Sequence, residues 1–348
     1  MTAKERIKAI LDNKEVDRQP YAILDGGAWA YNEAGLSFRE ILELEDAGAS
    51  IVVDKLNALG VDIISASSGL ALGGLEAIGC KADIDIKGAT VDVKKCINDP
   101  EEDIPKLDKS KIREQLDNDW IWQRILHQTR EIKKLVGDEK YIAGCLGGPF
   151  TIAGMMVGVQ DLMMMLVDED MEDLVNQLLD YAVTVCVLSF EDLIKAGADI
   201  PWFGEPVSSG ELIGQSMFEE YAMDCIQDAY NKLKDKAEYI FMHMCGRSAQ
   251  RVSSIKDIGF NAFSVDAPVD LAQAAIDCDG KMVMIGNIGP ANPLLNGTPD
   301  EIKAAAIEAI EKTKSKNGRL ILCPGCDVPV NTPAEKVRIL LEVAESYR

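Results

Sequence analysis

The stretch "YIFMHMCGRSAQRVSSIKDIGFNAFSVD", residues 239–266, holds one complete structural unit. A short apolar run (239–244) is followed by a helical pattern, "AQRVSSIKDIG", and then by a second apolar, β-rich run (261–266). Short apolar runs separated by an amphipathic helix read as parallel strands joined by a crossover. If 239–244 is a strand, His243 and Cys245 are two apart and project to the same side of its C-terminal end.

The same unit recurs outward in both directions. Further apolar runs are "PYAILD" (20–25), "VDIISA" (61–66), "YIAGCL" (141–146), "ADIPWFG" (198–204), "MVMIG" (282–286) and "RLILC" (319–323). Helical patterns lie between them, among them "DWIWQRILHQTREIKKLV" and the long "DMEDLVNQLLDYAVTVCVLSFEDLIKAGA". Eight strands, each followed by a helix, predict an α/β fold, a (β/α)8 TIM barrel spanning 1–348 as one domain. "MTAKERIKAILDNKEVDRQP" adds an N-terminal helical extension, and the last helix is expected to start with Thr332 as N-cap and Pro333 at its first position. Residues 141–160, rich in glycine, are expected to form a buried strand followed by a loop rather than a membrane span. The alternating stretch "CKADIDIKGATVDVKKCI", 80–97, predicts a β-hairpin about Gly88, inserted after the second strand as a solvent-facing flap or as a lid over the barrel mouth. The run Met163-Met164-Met165 lies on a helical pattern and reads as packing.

Composition narrows the function. The chain has 348 residues with 47% hydrophobic content, enough for a sizeable core. With 36 Lys+Arg against 58 Asp+Glu the net charge is −22, which repels nucleic acid and anionic membrane surfaces; neither is an expected partner. Nine cysteines are scattered without framework spacing, and the N-terminus lacks a signal-peptide pattern, so a reduced, cytoplasmic protein is expected.

The barrel hypothesis brings scattered residues together, because all strands deliver their C-terminal ends to one face. His243-Met-Cys245 alone is compatible with ordinary core and loop packing. "LILCPGCDVP" adds Cys323 at the end of the last strand and Cys326 in the loop beyond it, and "NAFSVD" ends in Asp266. His and Cys are donors suited to tetrahedral Zn²⁺, and three strong protein ligands with a fourth open or displaceable position is the catalytic pattern. Cys323 is read as a small buried thiol within its strand. Glu205 in "WFGEPVSS" suits either substrate positioning or loop ordering, and Asn287 in "GNIGP" either a substrate hydrogen bond or its own turn. His127, on a helix, reads as a surface residue.

Taken together, "KERIKAILDNKEVDRQP", "GGPFTIAG", "AGADIPWFGEPVSS", "HMCG", "FSVD", "GNIGP" and "PGCDVPVNTP" resemble the uroporphyrinogen decarboxylase superfamily, and within it the methylcobamide:coenzyme M type of methyltransferase. The resemblance covers nearly the whole chain. It implies zinc held by His243, Cys245 and Cys326, with Asp266 completing the coordination. It also implies methyl transfer from a methylcorrinoid, carried by a separate small corrinoid protein, to a zinc-bound thiol such as coenzyme M or a similar acceptor. No cobalamin-binding Asp-x-His-x-x-Gly pattern is present, so the corrinoid is expected as a co-substrate on that partner.

Three alternatives stand beside this reading. The transfer could run in the opposite sense, from a methylated substrate to the corrinoid protein. Uroporphyrinogen decarboxylation would need cations for a substrate with eight carboxylates, and "LDGGAWAYNEAG" after the first strand has Asp25 and Glu33 but no Arg or Lys. A zinc-stabilised binding protein would need a closed shell, with Cys323 as its fourth ligand.

Overall fold

The computed structural model describes residues 1–66, 74–88 and 91–347. In chain order the strands are β1 (Ile63–Ser65), β2 (Lys81–Asp83), β3 (Asp92–Lys94), β4 (Tyr141–Gly147), β5 (Ile200–Gly204), β6 (Phe241–Met244), β7 (Ala262–Val265), β8 (Val283–Ile288) and β9 (Leu320–Pro324). Seven of them form one sheet, β1-β4-β5-β6-β7-β8-β9, every neighbouring pair parallel.

The expected first strand, 20–25, fills the eighth place without forming a regular strand. Tyr21 makes a single parallel bridge to Leu322. The Ala22 N–H donates to Leu322 O (2.9 Å) and the Leu322 N–H to Pro20 O (2.8 Å), while on the other side the Asp62 N–H donates to Tyr21 O (2.8 Å). The segment therefore closes the curled sheet between β9 and β1. Its ladder is short for a local reason. Pro20 has no N–H, the Asp62 carboxylate takes the Tyr21 N–H (2.9 Å), and the chain turns by Gly27 into the helix Gly27–Glu33.

Side-chain alternation along the strands builds the lumen. Ala22, Leu24, Ile63, Tyr141, Ala143, Cys145, Ile200, Trp202, Phe241, Ala262, Val283, Ile285, Ile321 and Cys323 form one buried cluster, distinct from the larger apolar mantle beneath the helices. Trp202 and Phe241 meet edge-on at 5.3 Å. Burying a large aliphatic or aromatic side chain of this kind contributes roughly 1.5–3 kcal/mol. The N-terminal helix Ala3–Leu11 is capped by a reciprocal Thr2–Glu5 pair and adds Ile7 and Ile10 to the lumen cluster. It plugs the end of the barrel opposite the strand C-termini.

The inserted hairpin is present, β2 pairing antiparallel with β3 in the register Lys81↔Lys94. Gly88 adopts a φ of +74°, which favours glycine. The hairpin packs beside helices that follow the first strand place and β4. The Arg39 N–H donates to Ile84 O (2.9 Å), and the N–H groups of Cys96 and Ile97 both donate to Met156 O.

Two expectations are corrected. After β4 the chain forms a helix, Pro149–Val157, rather than a loop; Gly148 precedes it, Pro149 occupies its first turn, and it is buried almost throughout. The final helix is Ala334–Ser346 with Pro333, not Thr332, at its N-cap. Pro333 is extended (ψ 137°), and the Thr332 carbonyl instead accepts the indole N–H of Trp29 (2.8 Å). In the methionine run Met165 is buried but Met164 is exposed. No helix among the described residues is long and apolar enough to cross a membrane.

Candidate metal centre

β6 carries Phe241 and His243 inward and hands the chain to Cys245, which keeps the same parity. His243 is fully buried. Gly246 then turns the chain with a φ of +61°, where a Cβ would also meet the Glu211 carboxylate at 2.7 Å. From the far edge of the sheet, β9 ends at Pro324. A Cβ on Gly325 would lie 2.8 Å from both the Ala267 N and the Asp266 Oδ1, so glycine allows the 323–327 loop to approach the loop after β7.

These two turns bring together ligands that are 81 residues apart. His243 Nε2 lies 3.1 Å from Cys245 Sγ, and Cys245 Sγ lies 3.4 Å from Cys326 Sγ. The three donor atoms all lie within 4.8 Å of one another. The other imidazole nitrogen, Nδ1, lies 3.0 Å from Ser264 Oγ. Ser264 sits directly opposite His243 in the β6–β7 register. Burial works to lower the His243 pKa, but the hydrogen bond and charge of Cys326 hold it above the ordinary value. Cys326 is itself raised, first by its contact with Cys245 and then by burial. Three mutually hydrogen-bonded groups sharing protons are what a thiol–thiol–imidazole set shows when each donor faces one point.

Two sulfur donors and one nitrogen are the borderline-to-soft set that Zn²⁺ prefers, and three protein donors leave a tetrahedral position open. The donor set fits zinc. Neutral imidazole binds through a nitrogen lone pair, so with Nε2 facing the sulfurs, Nδ1–H donates to Ser264, which fixes the ring tautomer.

The remaining expected residues fall around this centre in different ways. Asp266 lies beside it, yet its Oδ2 accepts the Gly246 N–H (2.9 Å) and its Oδ1 the Ala267 N–H (2.7 Å), so both oxygens brace the backbone next to Cys245. Cys323 is buried in the lumen, away from the three clustered donors, and burial pushes its thiol pKa up. Asn287 donates to Val269 O (2.7 Å) and Asp266 O (3.3 Å), tying the loop after β7 to β8. Glu205 is fully buried and faces the helix after β4. Its Oε1 accepts the Phe150 N–H (3.0 Å), and its Oε2 accepts the Thr151 N–H (2.9 Å) and hydroxyl (2.8 Å). It thus caps the first turn of Pro149–Val157 from the loop just after β5, and burial pushes its pKa up to about 8 against those donors. His127 is on the barrel's outside, its Nε2 2.7 Å from Asp46 Oδ1.

Sequence reading missed Ser264 as a participant and gave Asp327 no role. Ser264 shares the inward parity of Asp266 within "FSVD", a signal that becomes specific only with the strand register. Asp327, next to Cys326, has a buried Oδ1 with no hydrogen-bond partner among the described residues.

Comparison with known proteins bears on what this centre does. The profile described as "Uroporphyrinogen decarboxylase (URO-D)" matches residues 2–347. The protein named methylcobamide:CoM methyltransferase MtbA of Methanosarcina mazei is 26% identical, over 100% of this chain and 98% of its own. The MtaA protein of Methanosarcina barkeri, with the same activity name, is 25% identical over 99% of this chain and 98% of its own. A solved structure titled "methyltransferase from Methanosarcina mazei" superposes with a TM-score of 0.85 at 24% identity, covering 99% of each chain, and shows the same fold.

Proposed function

The chain belongs to the uroporphyrinogen decarboxylase family, and within it we propose a zinc-dependent enzyme that moves a methyl group from a methylcorrinoid, carried on a separate corrinoid protein, to a small thiol. It is a corrinoid-dependent methyltransferase of that family, in keeping with the names of its full-length relatives. The zinc, the direction of transfer and the acceptor are the proposed part. The observation that carries it is the convergence of His243 Nε2, Cys245 Sγ and Cys326 Sγ at the barrel mouth.

Bound there, Zn²⁺ would supply Lewis acidity that lets a thiol of pKa about 8.5 react as its thiolate at neutral pH. The chain's own residues would prepare that chemistry. His243, Cys245 and Cys326 would hold the metal. Two thiolates and a neutral imidazole cancel its charge, which preserves electron density on an incoming sulfur. Ser264 holds the imidazole in the tautomer that presents Nε2. Asp266 and Asn287 brace the loops that carry or flank Cys245 and Cys326, and Glu205 anchors the helix behind β4.

The test uses methylcobalamin as a free methyl donor. Zinc-loaded protein should demethylate it in the presence of a small thiol, more slowly than it would demethylate a corrinoid protein, and should leave porphyrinogens undecarboxylated. Methylcobalamin persisting with every thiol tried, while a methylated amine, ether or thioether methylates cob(I)alamin, would establish the opposite direction.

A further inference from the structure

We infer that Asp46, His127 and Glu131, on the outside of the barrel, form a second site for a divalent transition ion such as zinc or cobalt(II), one that clasps two helices together and is separate from the thiolate centre. The inference does not depend on the function proposed above.

Among the described residues, these three are the one group besides His243, Cys245 and Cys326 whose donor atoms all lie within 4.8 Å of one another. His127 and Glu131 belong to the helix Trp120–Val136, and a separation of four residues puts them on one face, a turn apart. Asp46 is the first residue of a second helix, Asp46–Ala58. Its Oδ1 lies 2.7 Å from His127 Nε2.

Both helices hold these donors on rigid backbone, and they approach closely beside the site. A Cβ on Gly48 would lie 2.1 Å from Ile41 O and 3.5 Å from Gln128 Nε2, the side chain next to His127. Glu45, just before Asp46, pairs with Arg124, three residues before His127. Packing and this ion pair thus set the Asp46 carboxylate against the imidazole before any ion arrives, which lowers the ordering cost of binding.

One imidazole nitrogen and two carboxylates suit Zn²⁺ and its first-row neighbours, and the two carboxylate charges match a divalent ion. Unlike the barrel centre, the set contains no sulfur. An ion would take the place of the proton between Nε2 and Asp46 Oδ1, leaving the ring N–H on Nδ1. Glu131 also meets Lys134, with Nζ 2.5 Å from Oε1, but Lys134 is exposed and a pair of that kind contributes little, so it yields to a divalent ion. Asp46 is exposed, and the partial positive charge of its helix N-terminus opposes a cation. The site therefore holds its ion more weakly than the buried thiolate centre. A surface hydrogen bond between His127 and Asp46 needs only those two residues; Glu131 supplies the third donor that an ion requires.

The experiment starts from protein saturated with one equivalent of zinc and titrates Co²⁺, with bound cobalt measured by equilibrium dialysis and its surroundings read by absorption. The wild-type protein should take up one further equivalent without the intense thiolate-to-cobalt band that entry into the sulfur centre gives. Asp46→Ala, His127→Ala and Glu131→Ala should each abolish that uptake at cobalt concentrations that saturate the wild type, while keeping the first zinc. Alanine is the best helix former, so the helix Trp120–Val136 persists in the last two variants. Absence of a further equivalent, cobalt uptake that tracks a growing thiolate band, or a sulfur-free equivalent retained in either His127→Ala or Glu131→Ala overturns the inference. The last of these outcomes identifies an adventitious surface ion only.

Discussion

His243 and Ser264 stand opposite each other on β6 and β7, with the imidazole Nδ1 3.0 Å from the serine Oγ and Nε2 turned toward two sulfurs. When that hydroxyl accepts the Nδ1 proton, Nε2 is the nitrogen left free to bind a metal. Ser264→Ala should leave the fold unchanged and weaken zinc binding about 10–100-fold, the usual consequence of losing such a partner. Competition with a chromophoric chelator measures this, and an unchanged affinity would assign the tautomer to some other group.

The purified protein should carry about one zinc per chain. His243→Ala, Cys245→Ser and Cys326→Ser should each lose most of it on dialysis, because removing one of three strong donors leaves an incomplete shell. Cys323→Ser should keep its zinc, since that sulfur is buried in the lumen outside the donor trio. Metal analysis of the four variants checks the set, and loss of zinc from Cys323→Ser with retention in Cys326→Ser would reverse the assignment within "CPGC".

Asp266 should behave as a brace. Its two oxygens hold the N–H groups of Gly246 and Ala267, and an amide can accept only one of those bonds. Asp266→Asn is expected to speed hydrogen exchange at the Gly246 amide while lowering zinc affinity by less than about tenfold. Complete loss of zinc would make Asp266 a ligand of the resting site.

Proton counting tests the direction of transfer. A thiol that binds as thiolate below its own pKa must release close to one proton per molecule bound, so affinity should rise with pH until the free thiol ionises, then level off. Calorimetry in buffers of different ionisation enthalpy gives the count. A value near zero for every thiol, with zinc fully loaded, points to a methyl donor that coordinates through a heteroatom with no proton to lose.

Glu205 predicts a pH dependence of stability. Burial raises its pKa from 4.5 to about 8, so between those values the folded chain holds a proton that the unfolded chain has released. Its contribution is fully present below about pH 4.5 and is lost as pH rises through about 8, at no more than about 1.4 kcal/mol per pH unit. Glu205→Gln should flatten the decline of the thermal midpoint over that range in metal-free protein. An equally steep decline in the variant would place the titrating group elsewhere.

Much of this centre could be read from residue order because a strand has a fixed period of two. That period put His243 and Cys245 on one side of β6, aligned Ser264 with Asp266, and sent Cys323 into the lumen, and the recurrence of strand and helix implied a barrel whose strand ends meet. The sequence could not decide where each loop goes after its strand. The Gly246 and Gly325 turns pass so close to Glu211 and to Asp266–Ala267 that a Cβ would collide there, and those turns bring Cys326 to Cys245. The same holds for the helix after β4, read as a loop because its glycines suppress the local signal. It is secured by Glu205, a carboxylate 54 or more residues away that supplies the cap its own Gly148 lacks. Barrel closure itself was also beyond the sequence: the first segment joins the last strand through one bridge, Tyr21 to Leu322, and its flanking backbone hydrogen bonds, and only the folded chain brings those two segments together.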